Sequence, residues 1–168
     1  MATMKVQGVS MFSQDKSGVC WYACAKMLYK YSKANGGAMY DPAENSITQT
    51  RYSYDGDWSS NNAALLASTL NMGYHNDFSM DYDMMWHYFS TYGPIWTSVQ
   101  KNWQGGKGYG HVVVLAGCRN GVNGGIYVMD PEPMKKGSAF WLTWLQIKKA
   151  LKGQEYGYDW QYLTVKGS

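Results

Sequence analysis

The chain has 168 residues, 45% hydrophobic and 16% charged, a balance that excludes a disordered polymer and supplies a core without disulfides or metal. Its net charge of +3 is scattered from Lys5 to Lys166, with only the short clusters MKKG and IKKALKG, which argues against a nucleic-acid-binding stripe. No apolar run reaches the ~18 residues of a membrane span, and the opening MATMKVQGVSMFSQ lacks the apolar segment of a signal peptide.

These bounds predict a single domain over residues 1–168 that neither enters a membrane nor carries a classical export signal. Fifteen Tyr and 8 Trp stand against 4 Phe, a set of amphipathic rings that suits a core and also suits a groove or partner surface. Three cysteines, Cys20, Cys24 and Cys118, are an odd count with no Cys-x-x-Cys, which rules out a disulfide framework. His75, His87 and His111 do not recur at metal-ligand spacing, so no zinc site and no cofactor are expected. What the cysteine count permits is one reactive thiol served by a histidine distant in sequence.

Along the chain, Ser17-Gly18 supply a turn. Apolar residues then fall at Cys20, Ala23, Cys24, Met27, Leu28 and Tyr31, the spacing of an amphipathic helix running to about Lys33, where ANGG stops it. Residues 38–60, rich in Asp, Asn, Ser, Tyr and Gly, read as an irregular or weakly helical surface segment. SSNNAALLASTLNMG predicts a second helix with a Ser or Asn cap and Gly73 as terminator, and DYDMMWHYFSTYG a third ending at Gly93. The character then changes. PIWTSV reads as a strand, QKNWQGGKGYG as a glycine-rich loop, HVVVLAG as a buried strand, CRNGVNGG as a turn and IYVMD as a further strand. Residues 139–152, with AFWLTWLQIKKAL, read as a short helix, and YDWQYLTV closes the chain as a strand. Helices first and an antiparallel sheet after is the α+β pattern.

The chemistry-bearing residues lie at the joints of this pattern. Cys20 opens its helix, where unpaired N–H groups and a partial positive charge favour a thiolate over a thiol. An ordinary thiol is only roughly 3% ionised at neutral pH, so such help matters. A cysteine there is equally the first apolar residue of a core helix. His111 opens one strand and Asp130 ends the next, and the turn between them makes the two neighbours at one end of the sheet. A carboxylate so placed holds one ring nitrogen and leaves the other for a nucleophile; the plainer alternative is a strand-capping histidine and an Asp-Pro turn. Gln14, six residues before Cys20, offers a side-chain N–H to an oxyanion, with the Cys20 amide as second donor.

The run Q-D-K-S-G-V-C-W resembles the Gln-x5-Cys-Trp signature of papain-like cysteine peptidases, and GHVVVLAG followed by IYVMDP resembles their His strand and Asn/Asp strand. The similarity is to the bacterial branch that includes bacteriocin-processing leader peptidases and secreted papain-like effectors. It implies a papain-like α+β fold, with the nucleophile at a helix start packed on an antiparallel sheet. It implies Gln14 as oxyanion-hole residue, Cys20 as nucleophile, His111 as base and Asp130 as orienting group, with Trp21 packed beneath. Asp130 stands where plant papain has Asn, and the disulfide cysteines of secreted papains are missing, so compartment is not inherited. The implied activity is thiol-protease hydrolysis of a protein or peptide substrate, in a toxin or effector domain of bacterial competition. Non-classical delivery into a target cell, and an immunity or inhibitor protein covering the cleft, belong to that expectation; a cytoplasmic housekeeping peptidase is the alternative setting. The same residues also suit a peptidoglycan amidase, a glutamine deamidase or a transglutaminase, and a catalytically silent binding domain stands as the non-enzymatic alternative. Cys24 and Cys118 read as small core residues, His75 and His87 as histidines in helix or loop contexts, and residues 100–110 as a mobile rim before His111.

Overall fold

The computed structural model of the chain describes residues 2–53, 63–76, 80–152 and 161–165. The elements run β1 (Thr3–Lys5), α1 (Cys20–Ala34), α2 (Ser46–Ser53), α3 (Ala63–Leu70), β2 (Gly73–Asn76), α4 (Tyr82–Tyr92), β3 (Ile95–Lys101), β4 (Tyr109–Arg119), β5 (Gly125–Asp130), β6 (Ser138–Thr143), α5 (Trp144–Lys152) and β7 (Gln161–Thr164). Helices come mainly first and strands after, as the α+β pattern predicts. Among the described residues the strands form one seven-stranded sheet in the order β2-β7-β3-β4-β5-β6, and its pairs are antiparallel. β1 pairs with the far end of β4, Thr3 opposite Arg119, beyond the point where β3 begins at Ile95 opposite Leu115.

β4 explains the layering. Its run Val112-Val113-Val114-Leu115 is apolar at every position because both faces of the sheet are covered. Val112, Val114 and Met129 join the cluster built on Trp21, Cys24, Met27 and Leu28 of α1 and Leu66 and Leu70 of α3. Val113, Leu115 and Val128 join the opposite cluster, with Met85 and Phe89 of α4 and Ile147, Ala150 and Leu151 of α5. Side chains two apart point to one face, so one strand feeds two cores. Trp96 of β3 stitches α1 to the sheet, its Nε1 donating to the Trp21 carbonyl at 3.2 Å.

Several elements differ from the sequence reading. Residues 46–53 form a full helix, started by Asn45, whose Oδ1 accepts from the amides of Ile47 and Thr48, both at 3.0 Å; residues 54–60 of that segment lie outside the described residues. Gly73 does not end α3. Asn71 takes the left-handed turn at φ 56, and Gly73 opens β2 opposite Thr164. The proposed Ser or Asn cap, at 59–62, also lies outside the described residues. Residues 139–152 are two elements. Phe140 to Thr143 pair along β5, and helical spacing begins only at Trp144. The junction is a capping box: Gln146 N donates to Thr143 Oγ1 at 3.1 Å, and Thr143 N donates to Gln146 Oε1 at 2.9 Å. β3 and β4 run further than expected, taking Gln100 and Lys101 from one side of the glycine-rich loop and Tyr109 and Gly110 from the other. No helix among the described residues is long and apolar enough to cross a membrane.

α4, packed against β4, has a cap that isolates one local interaction: Asp81 Oδ1 accepts from the Met84 amide at 2.9 Å. Asp81→Ala is expected to cost about 1 kcal/mol of stability, read as a lower urea midpoint with an unchanged slope.

Candidate active site

α1 begins abruptly. Gly18 adopts φ 79, Val19 serves as N-cap at φ −115 with no side-chain cap, and Cys20 is the first helical residue. Cys20 therefore sits at the positive end of the helix, with no side-chain cap from Val19. Cys20 is 9% exposed, whereas Cys24 and Cys118 are fully buried. Burial, together with the charges of Cys20 and Asp130, pushes the Cys24 thiol well above its ordinary range, and Cys24 Sγ donates to the Val112 carbonyl at 3.4 Å. Burial alone raises the Cys118 thiol to about 11. Two of the three cysteines are thus held as neutral thiols. Trp21, the next residue, is buried in the core on this side of the sheet, edge-on to Tyr22 at 5.6 Å.

The opposite wall comes from the sheet. His111 is the third residue of β4, and its Nε2–H donates to Asp130 Oδ1 at 2.7 Å. The contact is diagonal: Val114 pairs with Met129, so Asp130 lies opposite Val113, two residues along from His111 on the same face. With Nε2 held by Asp130, Nδ1 is the other ring nitrogen, and Cys20 lies near enough to the ring to raise its basicity. Burial would lower the basicity of His111, but the bond to Asp130, the bond to Cys20 and their charges outweigh it and raise the ring to about 9. Asp130 shows the converse. Burial would raise it, and the bond and charge of His111, the Lys101 bond and the Glu132 amide keep it below the ordinary carboxylate range.

Gln14 is 5% exposed and pinned at its backbone: its N–H donates to the Pro131 carbonyl at 3.0 Å and its carbonyl accepts from Lys135 N at 3.0 Å. The side-chain Nε2 donates to the Lys16 carbonyl at 3.2 Å, which occupies one of its two hydrogens. The buried Oε1 has no hydrogen-bond partner among the described residues. Lys16 and Asp15 in turn hold Tyr52 of α2: Lys16 Nζ donates to the Tyr52 carbonyl at 2.6 Å and the Tyr52 hydroxyl to Asp15 Oδ2. Cys20, His111 and Asp130 are therefore brought into one contact chain, and Gln14 is anchored to the segment just after Asp130.

Three residues that the sequence reading did not single out, two of them within the 100–110 rim, complete the cluster. Lys101 Nζ lies 2.8 Å from Asp130 Oδ2 and 3.0 Å from Glu132 Oε1, on a side chain 5% exposed. Glu132 Oε1 also lies 3.2 Å from His111 Nε2 and accepts from the Tyr109 hydroxyl at 2.6 Å. The Glu132 amide donates to Asp130 Oδ1 at 2.9 Å, which folds the chain so that both carboxylates face His111. A signal for Lys101 existed: once β3 extends past Val99, alternation turns Lys101 inward, and an inward charge requires a counter-charge. His111, Asp130 and Glu132 bring one potential ligand atom each within 4.8 Å of one another. The Lys101 ammonium already supplies the positive charge between the carboxylates, so the cluster is an ion-pair network. Of the other histidines, His75 sits on β2 rather than in a helix or loop, bonded to Thr164 Oγ1 at 3.1 Å and stacked on Tyr162, with burial lowering its basicity. His87 is exposed on α4.

A helix-start cysteine facing a histidine that a buried carboxylate orients is the arrangement of a thiol protease. A sequence model of the family described as papain-like cysteine protease AvrRpt2 matches residues 3–148. The chain belongs to this family. It is a cysteine peptidase with a papain-like α+β fold. No curated protein matches the chain.

The contrast among the thiols gives a direct measurement. Iodoacetamide at neutral pH is expected to alkylate Cys20 at least about tenfold faster than Cys24 or Cys118, since each unit of raised pKa removes tenfold of thiolate. Mass-spectrometric site counting checks this; equal rates in the folded protein would remove the distinction.

Proposed function

We propose that residues 1–168 form one catalytic domain in which Cys20 attacks the carbonyl carbon of a peptide bond as a thiolate. The oxyanion that forms accepts from the Gln14 side-chain amide and the Cys20 backbone amide. His111, as imidazolium, delivers its Nδ1 proton to the leaving amine, and the carbon–nitrogen bond breaks to give a thioester and a free amino terminus. His111 then takes a proton from water, the hydroxide attacks the thioester, and the thiolate departs as the carboxylate product forms. Asp130 holds the imidazole through Nε2–H in both halves of the cycle and stabilises its charged form.

The observation that carries this reading is the contact chain from Cys20 through His111 to Asp130, closed on one side by the helix start and on the other by a 2.7 Å bond. The family favours a peptide bond over the other amides that such residues cleave. The resemblance to secreted papain-like effectors supports the finer reading of a toxin or effector that reaches its protein target in a recipient cell by a non-classical route, with an inhibitor or immunity protein covering the cleft.

Cys20→Ala is expected to abolish peptide cleavage, and Gln14→Ala to lower kcat by ~10²-fold or more with little change in KM. The rate should fall as pH rises past about 9, where His111 loses the proton it gives to the leaving amine. Because the folded value stands above the ordinary one, the linked stability is full below the unfolded pKa and is lost as pH rises from about 6.5 to about 9. New amino termini, mapped in a proteome exposed to wild type and to Cys20→Ala, identify the substrate. Wild type expressed in recipient cells should slow growth while Cys20→Ala does not; equal growth would sink the toxin reading.

A further inference from the structure

We propose that Glu132 and Lys101 are positioning residues for His111: Glu132 sets a second negative charge beside the Nε2–H that His111 gives to Asp130, and Lys101 clamps the two carboxylates together and cancels one of their charges. The inference deepens the thiol-protease reading and rests on it for its catalytic meaning.

The geometry is specific. His111 Nε2–H donates to Asp130 Oδ1 at 2.7 Å, and Glu132 Oε1 lies 3.2 Å from the same nitrogen, so one edge of the ring faces two carboxylates while its hydrogen bond goes to one. A buried and a half-buried carboxylate this close repel, and one takes up a proton more readily unless a cation stands between them. Lys101 is that cation, 2.8 Å from one and 3.0 Å from the other. Its carboxylate partners overcome burial and raise its own pKa, so it stays charged through the working range of the site. Glu132 is likewise held ionised: burial opposes this, and the Tyr109 hydroxyl, Lys101 and the His111 charge outweigh it. Local backbone supports each member. Gly108, at φ 70, passes so close to Lys101 that a Cβ there would lie 2.0 Å from the Lys101 carbonyl; this tight return sets Tyr109 opposite Lys101. The Asp130–Glu132 turn and the Ser138 hydroxyl, which donates to the Glu132 carbonyl at 2.7 Å, fix the second carboxylate.

The groups acting on the His111 ring are then Cys20 from α1, Lys101 from β3, Tyr109 from β4 itself, Asp130 from β5 and Glu132 from the turn beyond; Cys24, one helical turn from Cys20, is a neutral thiol. With Cys20 as thiolate and His111 as imidazolium, the four charged side chains around the ring carry three negative charges and one positive. Removing Glu132 or Lys101 changes this field in opposite directions. Loss of Glu132 withdraws a negative charge and makes the imidazolium easier to deprotonate. Loss of Lys101 withdraws a positive charge and makes it harder.

The test follows the ring proton of His111 by NMR in the histidine-labelled full chain, alongside the pH dependence of Cys20 alkylation. Glu132→Gln should move the His111 midpoint down by roughly one pH unit, Lys101→Met should move it up by a comparable amount, and Lys101→Arg should keep the wild-type value. Opposite shifts support the proposal, since a loss of packing alone would not reverse sign between the two variants. Shifts of the same sign, or a Glu132→Gln midpoint equal to wild type, overturn it. If Lys101→Met fails to fold, Glu132→Gln and Lys101→Arg still decide. The ring titration needs no turnover, so an unreactive Cys20 would sink the protease reading while the midpoints still decide the roles of Glu132 and Lys101.

Discussion

The bond between His111 and Asp130 is the constraint to which the rest of the molecule conforms. A carboxylate sealed from water at the end of a sheet is expensive unless its lone pairs are met. Asp130 accepts at Oδ1 from a histidine and from the amide two residues on, and its charge is countered at Oδ2 by a lysine 2.8 Å away. These partners come from β3, β4 and the turn after β5, so the three segments must arrive in register for the charge to be tolerated. Breaking such a network by removing one member costs on the order of 3–5 kcal/mol in comparable buried pairs. The chemistry and the pairing of the central strands are thus tied to the same few atoms.

On the other side, α1 divides its cysteines by depth. Cys20 stands at the helix start, at the edge of solvent and beside His111, while Cys24 one turn later hands its proton toward a strand carbonyl in the core. The same helix therefore supplies a candidate nucleophile from its first residue and packing from its next turn. The Gln-x5-Cys-Trp run that resembles papain-like peptidases puts its cysteine at Cys20, the least buried of the three.

Much of this was legible in the sequence, and the gaps have physical causes. α1 and α4 carry strong helical periodicity and clear stop signals, and β4 and β5 are apolar runs bounded by glycine; all four stand where the pattern puts them. β1 and β2 are three and four residues long, too short for a period, and exist because β4 and β7 offer them edges. The strand β6 was hidden because its aromatic residues run without a break into the apolar start of α5, although Thr143 and Gln146 marked the join. Gln14, Cys20, His111 and Asp130 stood out because each sits at an element boundary with a chemistry of its own. Lys101 and Glu132 did not, because a lysine beside a glycine loop and a glutamate between prolines look like ordinary surface residues until the register folds them inward. Charge burial is a property of the tertiary structure, and only the extended strand β3 revealed it.

Gln14 is joined through its backbone to Pro131 on one side and Lys135 on the other. The segment leading into Cys20 and the segment leaving Asp130 therefore run as one strip of hydrogen-bonded chain. The backbone bonds of Gln14, the proposed oxyanion donor, thus tie it directly to the chain that leaves Asp130. For the proposed chemistry, the spacing between Gln14 and Asp130 is then set by backbone hydrogen bonds, and the loops around the site are left to meet the substrate.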